Sequence, residues 1–353
     1  MIASHRVTCR ADRRKAMSNA VSSVLVTGAG KPGTSATITA LRRSGYRVLA
    51  VDSAPEASGL GKADRAYVVP AGSQAGFVEE LTRVCLHERV RAIVPLVDEE
   101  LVDEELVAVW ELSRLGIQIL SPRLSLVALC LDRLQLTEVL RLCRVRTPRT
   151  RLASKGAGDL SFPMVLTDRY KTGQVSPARV AQDMQALDGL LFEHRAHLGR
   201  LLIQEHVPGP EYSVSVVVWR DGNVQAVVPK EIVYRKGAAH YAVTRRQEAL
   251  TQACAETARV LDADGPISVR ARLDAAGDPH VFDIAPRLTR TSSLTVSAGV
   301  DEVRGLLDQA LTGGGPTLKN SWREGITLPL QDSGASPHQP ALDPHDQTLE
   351  KNG

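Results

Sequence analysis

Residues 265–293 read GPISVRARLDAAGDPHVFDIAPRLTRTSS, and this stretch decides the fold of the 353-residue chain. Apolar and charged residues alternate through VRARLD (269–274), which is the two-residue period of a strand with one buried face. The sequence AAGDP (275–279) is typical of a turn, and an apolar run containing Asp283 follows it. The pattern therefore predicts a β-hairpin, with Arg270 on its first strand and Asp283 on its return strand.

The register of this hairpin decides which of its charged residues meet. If the turn is symmetric about residues 276 and 277, Arg270 lies directly opposite Asp283. Opposed residues share a face with their Cβ atoms about 5 Å apart, close enough for a charge-assisted ion pair. A bulge would shift the pairing by one residue and separate the two side chains. We therefore predict an Arg270–Asp283 ion pair that depends on this register.

Composition places the chain among soluble globular proteins, with 43% hydrophobic and 24% charged residues. Its length suggests two or three packed subdomains. It contains no run of about eighteen apolar residues, so no membrane span is expected. The five cysteines are odd in number and lack CxxC spacing, which indicates reduced thiols and a cytoplasmic protein.

The net charge of +3 arises in residues 1–16, which carry five basic residues and one acid. The remainder has a net charge of −1, so there is no general basic signal for a nucleic-acid partner. Residues 1–16 lack the apolar core of a secretory signal, while an Arg-rich targeting peptide stays open. A disordered arm or a start-site artefact fits better, which leaves Met1 and Met17 as alternative starts.

The first βαβ unit carries a glycine-rich loop. The strand VLVT (24–27) runs into GAGKPG with Gly28, Gly30 and Gly33, and the second strand ends at Asp52. Bare backbone N–H groups at a helix N-terminus suit a phosphate or carboxylate, and alone this is a dinucleotide fingerprint. Many open α/β domains use such glycines only for a tight turn. We assign these three glycines to substrate binding.

An acidic repeat, VDEELVDEEL, follows the third predicted strand at residues 97–106. Its apolar residues fall on one face of a helix, which predicts a solvent-exposed amphipathic helix. The carboxyl ends of strands in open sheets contact ligands, so Asp98 and Glu99 are further candidate substrate-binding residues.

The hairpin resembles the metal-binding hairpin of the ATP-grasp superfamily, especially its carbamoyl-phosphate-synthase-like branch. Two more segments resemble that family: FPMVLTDRY (162–170), a strand that carries the nucleotide-binding lysine, and LLIQEHVPGPEYSV (201–214), the hinge. The resemblance spans residues 24–325. It implies an α/β protein with the ATP-grasp fold and an N-terminal Rossmann-like, or preATP-grasp, α/β domain.

The resemblance also implies a division into domains. The tail after residue 327 is rich in Ser, Pro, Gln, Asp and His without periodicity, which indicates disorder. We predict a disordered basic arm (1–20), a preATP-grasp Rossmann-like domain (21–128), an ATP-grasp small subdomain (129–204), a large subdomain with the metal-site hairpin (205–327) and a disordered tail (328–353).

In such proteins ATP binds between the subdomains, and the resemblance assigns residues to it. Thr167 stands where the family has its nucleotide-binding lysine, so a cation two or four residues further on is the substitute. The hinge, which binds adenosine in the family, is more complete than the phosphate loop. The resulting nucleotide-binding residues are Arg133, Arg169, Lys171, Gln204, Glu205, His206, Val207 and Glu211.

The metal position departs from the family pattern. The oxygen ligands of the family fall on Arg270, Asp283 and Ala285, so a single carboxylate remains, and Mg²⁺ needs oxygen ligands in near-octahedral geometry. The resemblance therefore implies ATP as cofactor, while these residues argue against Mg²⁺. Arg287 matches the family arginine thought to hold an acyl phosphate and is the candidate catalytic residue. Lys230 is a further candidate for binding an anionic substrate.

The resemblance implies a protein of the ATP-dependent carboxylate–amine ligase type. The positions at which this sequence departs from the family pattern are those that bind the phosphates and the metal ion. We predict weakened or lost catalysis, in a protein that binds a nucleotide or ligand or regulates a partner. The alternative is a working ligase that forms an acyl phosphate with altered metal chemistry. Expected partners are a small carboxylate or amine, a second copy of the chain or an active ATP-grasp protein. A NAD-dependent enzyme is disfavoured, because the chain after Arg133 follows ATP-grasp order.

Overall fold

The computed structural model describes residues 22–31, 33–72, 74–96, 112–171, 178–235, 238–313, 318 and 320–330. Its strands are β1 (Ser23–Val26), β2 (Arg47–Asp52), β3 (Arg65–Val68), β4 (Val90–Val94), β5 (Gln118–Ile119), β6 (Thr150–Leu152), β7 (Met164–Asp168), β8 (Arg179–Ala181), β9 (Leu201–Glu205), β10 (Glu211–Val218), β11 (Val224–Arg235), β12 (Ala238–Thr244), β13 (Ile267–Leu273), β14 (Pro279–Ala285) and β15 (Thr327–Pro329). The α-helices are α1 (Thr34–Arg43), α2 (Phe77–His87), α3 (Leu124–Leu131), α4 (Arg133–Leu142), α5 (Met184–Glu193), α6 (Glu248–Val260), α7 (Ser292–Ala298) and α8 (Glu302–Thr312). Short 3-10 turns lie at Leu60–Lys62, Leu112–Leu115, Ala153–Lys155 and Arg195–Arg200.

The N-terminal part is a parallel sheet of five strands in the order β3-β2-β1-β4-β5. Strands β1 and β4 are almost wholly buried, as expected for central strands of a parallel sheet with helices on both faces. One face packs with α2 around Phe77 and Leu81, and the other packs with α1 and α8. The predicted Rossmann-like arrangement is confirmed.

The largest sheet is antiparallel, with the order β14-β13-β10-β11-β12-β15. Leu136, Leu250 and Cys254, from α4 and α6, pack on the apolar residues of β10 and β13. The hairpin β13–β14 pairs Arg270 with Asp283, so this predicted opposition is confirmed. The turn itself is not symmetric about residues 276 and 277, because Ala271 pairs with Val281 and a bulge after Arg270 shifts the register by one residue. The charged face of the hairpin is thereby turned away from the apolar core.

A second antiparallel sheet has the order β6-β9-β7-β8 and its own core around Met164, Leu166 and Ile203. Residues 206–210 connect β9 of this sheet to β10 of the large sheet. Lys171, just after β7, contacts Asp283 on β14. The two antiparallel sheets therefore meet along the hairpin, with residues 206–210 as the hinge.

Some expectations fall on residues that the structure leaves undescribed. Asp98 and Glu99, with the rest of the acidic repeat, lie outside the described residues, as do the loop 172–177, the predicted basic arm (1–20) and residues 331–353 of the predicted disordered tail. The start of that predicted tail is described and is ordered: Leu328 and Pro329 belong to β15 and pair with β12. In the described part of the chain, no helix combines the length and the apolar character needed to span a membrane.

Candidate functional site

The family's metal position is held by an ammonium group and a carboxylate. Lys171 Nζ lies 2.7 Å from Asp283 Oδ1 and also donates a hydrogen bond to the Ile284 carbonyl. Arg133 Nε lies 3.9 Å from the same Asp283 oxygen. Burial alone would raise the pKa of Asp283, but Lys171, Arg133 and Arg270 outweigh it and lower the pKa below its ordinary value. Asp283 is therefore an ionised carboxylate neutralised by fixed cations.

Arg270 binds a different acid from the one predicted. Its guanidinium pairs with Glu211, and Arg272 Nη2 lies 2.7 Å from the other Glu211 oxygen. Burial would raise the pKa of Glu211, yet the two arginines hold it below its usual range. The predicted Arg270–Asp283 ion pair is wrong, although the two residues are opposed. Glu211 on the neighbouring strand β10 competes for Arg270, while Lys171 and Arg133 satisfy Asp283.

This cluster does not fit a magnesium ion. Asp283 is the one carboxylate available to it, because Ala285 has no side-chain oxygen, Arg270 is a cation, and Arg270 and Arg272 take up both oxygens of Glu211. Across the described ranges, no group of three or more His, Cys, Asp or Glu side chains is arranged to hold a metal ion. The cluster instead contains four cations, Arg133, Lys171, Arg270 and Arg272, against the carboxylates of Glu211 and Asp283. An excess of fixed positive charge suits a phosphate chain.

Asp132 organises the other predicted phosphate contacts. It accepts hydrogen bonds from Arg169 Nε at 3.0 Å and Nη2 at 2.7 Å, a bidentate pair. The same carboxylate caps α4 through the N–H groups of Leu134 and Gln135. Arg133 donates from Nη1 to the Asp168 carbonyl at 2.8 Å. Arg169 is thus committed to Asp132, whereas Arg133 and Lys171 converge on Asp283.

The hinge is anchored at its β9 end. Gln204 Nε2 donates to Thr150 Oγ1 at 2.8 Å, and Glu205 accepts from the Ser161 N–H at 2.8 Å. His206 Nδ1 is buried with no hydrogen-bond partner, and burial together with the charge of Arg272 lowers the pKa of His206 to about 4. Val207 is half-buried between these residues and β10. An unsatisfied polar atom in the segment expected to hold adenosine fits a ligand there.

The glycine-rich loop is hydrogen-bonded to Asp52, the acid at the end of β2. Asp52 accepts hydrogen bonds from the Gly30 N–H at 2.7 Å and from the Ala54 N–H at 2.9 Å. Gly33 has φ +86°, and a side chain there would meet the Arg290 backbone at 3.1 Å. Gly28 also has a positive φ, of 61°. Asp52 therefore binds the loop, instead of being free for a ribose as in a dinucleotide site.

Arg287 follows the hairpin, is half-buried and donates to the Leu288 carbonyl at 3.2 Å. Its role in holding an acyl phosphate stays a prediction. Lys230 on β11 shares a sheet face with Arg270, because both lie opposite Ser213 of β10, but Lys230 is 0% exposed and its Nζ is 2.6 Å from Ser215 Oγ and 2.9 Å from Thr295 Oγ1. The structure therefore does not bring Lys230 together with the cation cluster.

Lys230 should give folding a distinct pH dependence. Burial lowers the pKa of Lys230 to about 8, against the attraction of Glu302. The folded state therefore binds fewer protons than the unfolded state between about pH 8 and the usual lysine pKa of about 10.4, so this group adds stability as pH rises through that window. In urea unfolding, the stability of the natural chain relative to Lys230→Met should increase from pH 7.5 to 10, whereas its stability relative to the exposed-site variant Lys155→Met should stay constant.

The sequence did not lead us to assign Arg272 or Asp132 to the site. It also did not predict that Glu211 forms ion pairs with two arginines. The signal for Arg272 was present, because the period of two places it on the face of Arg270. The bond between Asp132 and Arg169 joins two elements 37 residues apart and needs the β-bridge between Asp132 and Tyr170. No local pattern predicts it.

Two antiparallel sheets joined by a hinge, with an ionic hairpin between them and a parallel sheet in front, define the ATP-grasp class of proteins. The chain has the ATP-grasp fold. Residues 197–329 match the family described as ATP-grasp in the biosynthetic pathway with Ter operon, and residues 24–109 match the PylC-like N-terminal domain. The curated proteins compared with this sequence gave no match.

Several solved structures share the fold. N5-carboxyaminoimidazole ribonucleotide synthetase from Thermotoga maritima is 16% identical, with a TM-score of 0.65 over 86% of this chain and 78% of that chain. Biotin carboxylase from Campylobacter jejuni is 16% identical, with a TM-score of 0.68 over 87% and 74%. L-amino acid ligase from Bacillus licheniformis is 15% identical, with a TM-score of 0.66 over 82% and 74%. At this identity the likeness extends to the fold alone.

Proposed function

We propose that this chain is an ATP-grasp protein of the carboxylate–amine ligase type that binds an adenine nucleotide without a metal ion and has weakened or lost catalysis. The observation that carries the proposal is the 2.7 Å contact of Lys171 Nζ with Asp283 Oδ1. It puts a protein cation against the one carboxylate that the family's metal position retains. Mg²⁺ would have to displace that cation and would then find a single carboxylate ligand.

The hinge and the cation cluster support the nucleotide part of the proposal. Adenosine would lie against the end of β9 and the start of the hinge that connects the two sheets, that is, against Gln204, Glu205, His206 and Val207. Arg133, Lys171, Arg270 and Arg272 supply the positive charge that a diphosphate needs. Asp98, Glu99 and the loop glycines stay predictions for a substrate carboxylate or amine. A second copy of the chain or an active ATP-grasp partner is the proposed assembly partner, and a cytoplasmic location stays part of the proposal.

Nucleotide affinity should be nearly independent of magnesium. We expect the Kd of ADP to agree within about twofold in Mg²⁺ and in EDTA, because fixed cations already occupy the metal position. Isothermal titration calorimetry gives both values. The matched variant Arg270→Gln/Ala285→Asn restores oxygen ligands and should acquire some magnesium dependence. An affinity that rises more than tenfold with Mg²⁺ in the natural chain, worth about 1.4 kcal/mol, contradicts the proposal.

A working ligase is the second candidate, and Arg287 favours it. This arginine keeps the family's position just after the hairpin, and electrostatic stabilisation of a transferring phosphoryl group can come from fixed cations. The test is ADP formation from ATP with panels of carboxylates and amines. Turnover that requires both substrates and disappears in Arg287→Gln establishes a ligase. Absence of turnover with every combination of substrates supports nucleotide binding without catalysis.

A further inference from the structure

The segment between α4 and β6 carries a feature that the nucleotide site does not use. Residues 141–151 read RLCRVRTPRTR, in which five of eleven residues are arginine. A run of this kind is ordinarily a solvated surface. Here it surrounds a cavity of about 550 Å³, which we call the arginine groove, within the size range of small-molecule sites.

The arginine groove is strongly positive at its rim and partly apolar inside. Its charged lining consists of five arginines against the carboxylates of Glu138 and Asp159, a formal charge of +3. The apolar part of its lining comes from Leu134, Val145, Pro148 and Leu160. Leu134 and Val145 are half-buried and offer apolar surface to the groove, whereas Pro148 and Leu160 are buried in its wall. The combination suits a ligand with an anionic end and an apolar body.

Two of the five arginines are left for a ligand. Arg149 and Arg151 share Asp159, and Arg146 pairs with Asp278. Within the described ranges, Arg141 and Arg144 form no ion pair, and both are exposed at the groove. Guanidinium groups bind phosphate through two parallel hydrogen bonds, which a lysine cannot reproduce.

The groove is separate from the cation cluster at the hairpin. None of its lining residues belongs to the predicted nucleotide-binding set, although in its wall Thr150 accepts from Gln204 and Arg149 pairs with Glu205 at 3.4 Å. A ligand in the groove can therefore be bound while a nucleotide occupies the cleft. We propose that the arginine groove binds a phosphorylated organic small molecule, with Arg141 and Arg144 holding the phosphate and the apolar wall holding its organic part.

The test uses phenyl phosphate and inorganic phosphate as probes on the full chain at constant ionic strength, first alone and then with ADP present. Phenyl phosphate should bind saturably, more tightly than inorganic phosphate, and with unchanged affinity in ADP. Arg141→Gln/Arg144→Gln should raise its Kd at least tenfold. The control Arg43→Gln/Arg65→Gln removes the same charge from exposed sites on α1 and β3 and should change the Kd less than twofold.

Three results overturn the assignment: no saturable binding of phenyl phosphate, equal weakening in both double variants, or competition with ADP. Tighter binding of inorganic phosphate than of phenyl phosphate would overturn the claim that the apolar wall binds the organic part of the ligand. The titration without ADP does not depend on nucleotide binding, so a failure of the proposed nucleotide function leaves this test intact. Both double variants change exposed side chains only, and circular dichroism checks that each is folded.

Discussion

Lys171→Gln should lower the free energy of unfolding by about 3 kcal/mol at pH 7, because it leaves the buried Asp283 carboxylate without its nearest cation. The side chain of Lys171 is 4% exposed and that of Asp283 is 12% exposed, so little water replaces the lost partner. Arg133, at 3.9 Å, compensates only in part. Urea denaturation of the variant and the natural chain measures the difference.

The exposed-site variant Lys155→Gln removes the same charge and should lower the free energy of unfolding by less than about 0.5 kcal/mol.

The pH dependence separates an ionic effect from a packing effect. Because the folded pKa of Asp283 lies below its unfolded value of about 3.9, its stabilisation is present above that value and is lost as pH falls through the folded pKa. The gap between the natural chain and Lys171→Gln should therefore shrink below about pH 4, and a gap that stays constant would point to packing alone.

The hairpin shows how much of this site local sequence can predict. The period of two and the turn residues are local properties, and they were sufficient to predict the hairpin and its faces. The turn is centred on Ala276 instead of between 276 and 277, and Arg270 lies opposite Asp283 only because the bulge after Arg270 offsets that difference. The ion-pair partners were not predictable in the same way. Glu211 comes from a strand 59 residues away, and its two oxygens take up Arg270 and Arg272 together. Arg270 has Asp283 opposite it and Glu211 on the neighbouring strand. Which of the two acids it binds depends on how the side chains pack, and local sequence patterns carry no information on that packing.

The cation substitute for Thr167 is a similar case. The period of two put Arg169 and Lys171 on the face of Thr167, and both were assigned to phosphate. The structure separates them, because the β-bridge at Tyr170 brings Asp132 under Arg169 while Lys171 reaches the hairpin. The fold could be predicted because its signals recur along the whole chain. The charge arrangement could not, because its pairs join residues that are far apart in the chain. Arg270 meets Glu211 only when β10 and β13 pair, and Lys171 meets Asp283 only when the two sheets are in contact.

Gly209→Ala should have the other large effect, since this glycine lies where the hinge touches the hairpin. Gly209 has φ +130°, and an added Cβ would lie 2.0 Å from the Leu273 carbonyl oxygen at the end of β13. That overlap with backbone forces the hinge away from β13 and adds strain of about 1–3 kcal/mol from the backbone conformation alone. The Gly209 carbonyl also accepts from Arg272 Nη1 at 3.2 Å, so the shift disturbs the Glu211 cluster.

We expect Gly209→Ala to lose at least about 3 kcal/mol of unfolding free energy. In the folded fraction, ADP affinity should fall at least tenfold, about 1.4 kcal/mol, because the hinge and Arg272 move together. Gly222→Ala is the matched control: its φ is +73° with open space around the added Cβ, so it should cost about 1 kcal/mol through backbone strain and leave ADP affinity unchanged. Equal stability losses in the two variants would show that the overlap with Leu273 relaxes without cost. An unchanged ADP affinity in Gly209→Ala would show that the hinge does not hold the nucleotide.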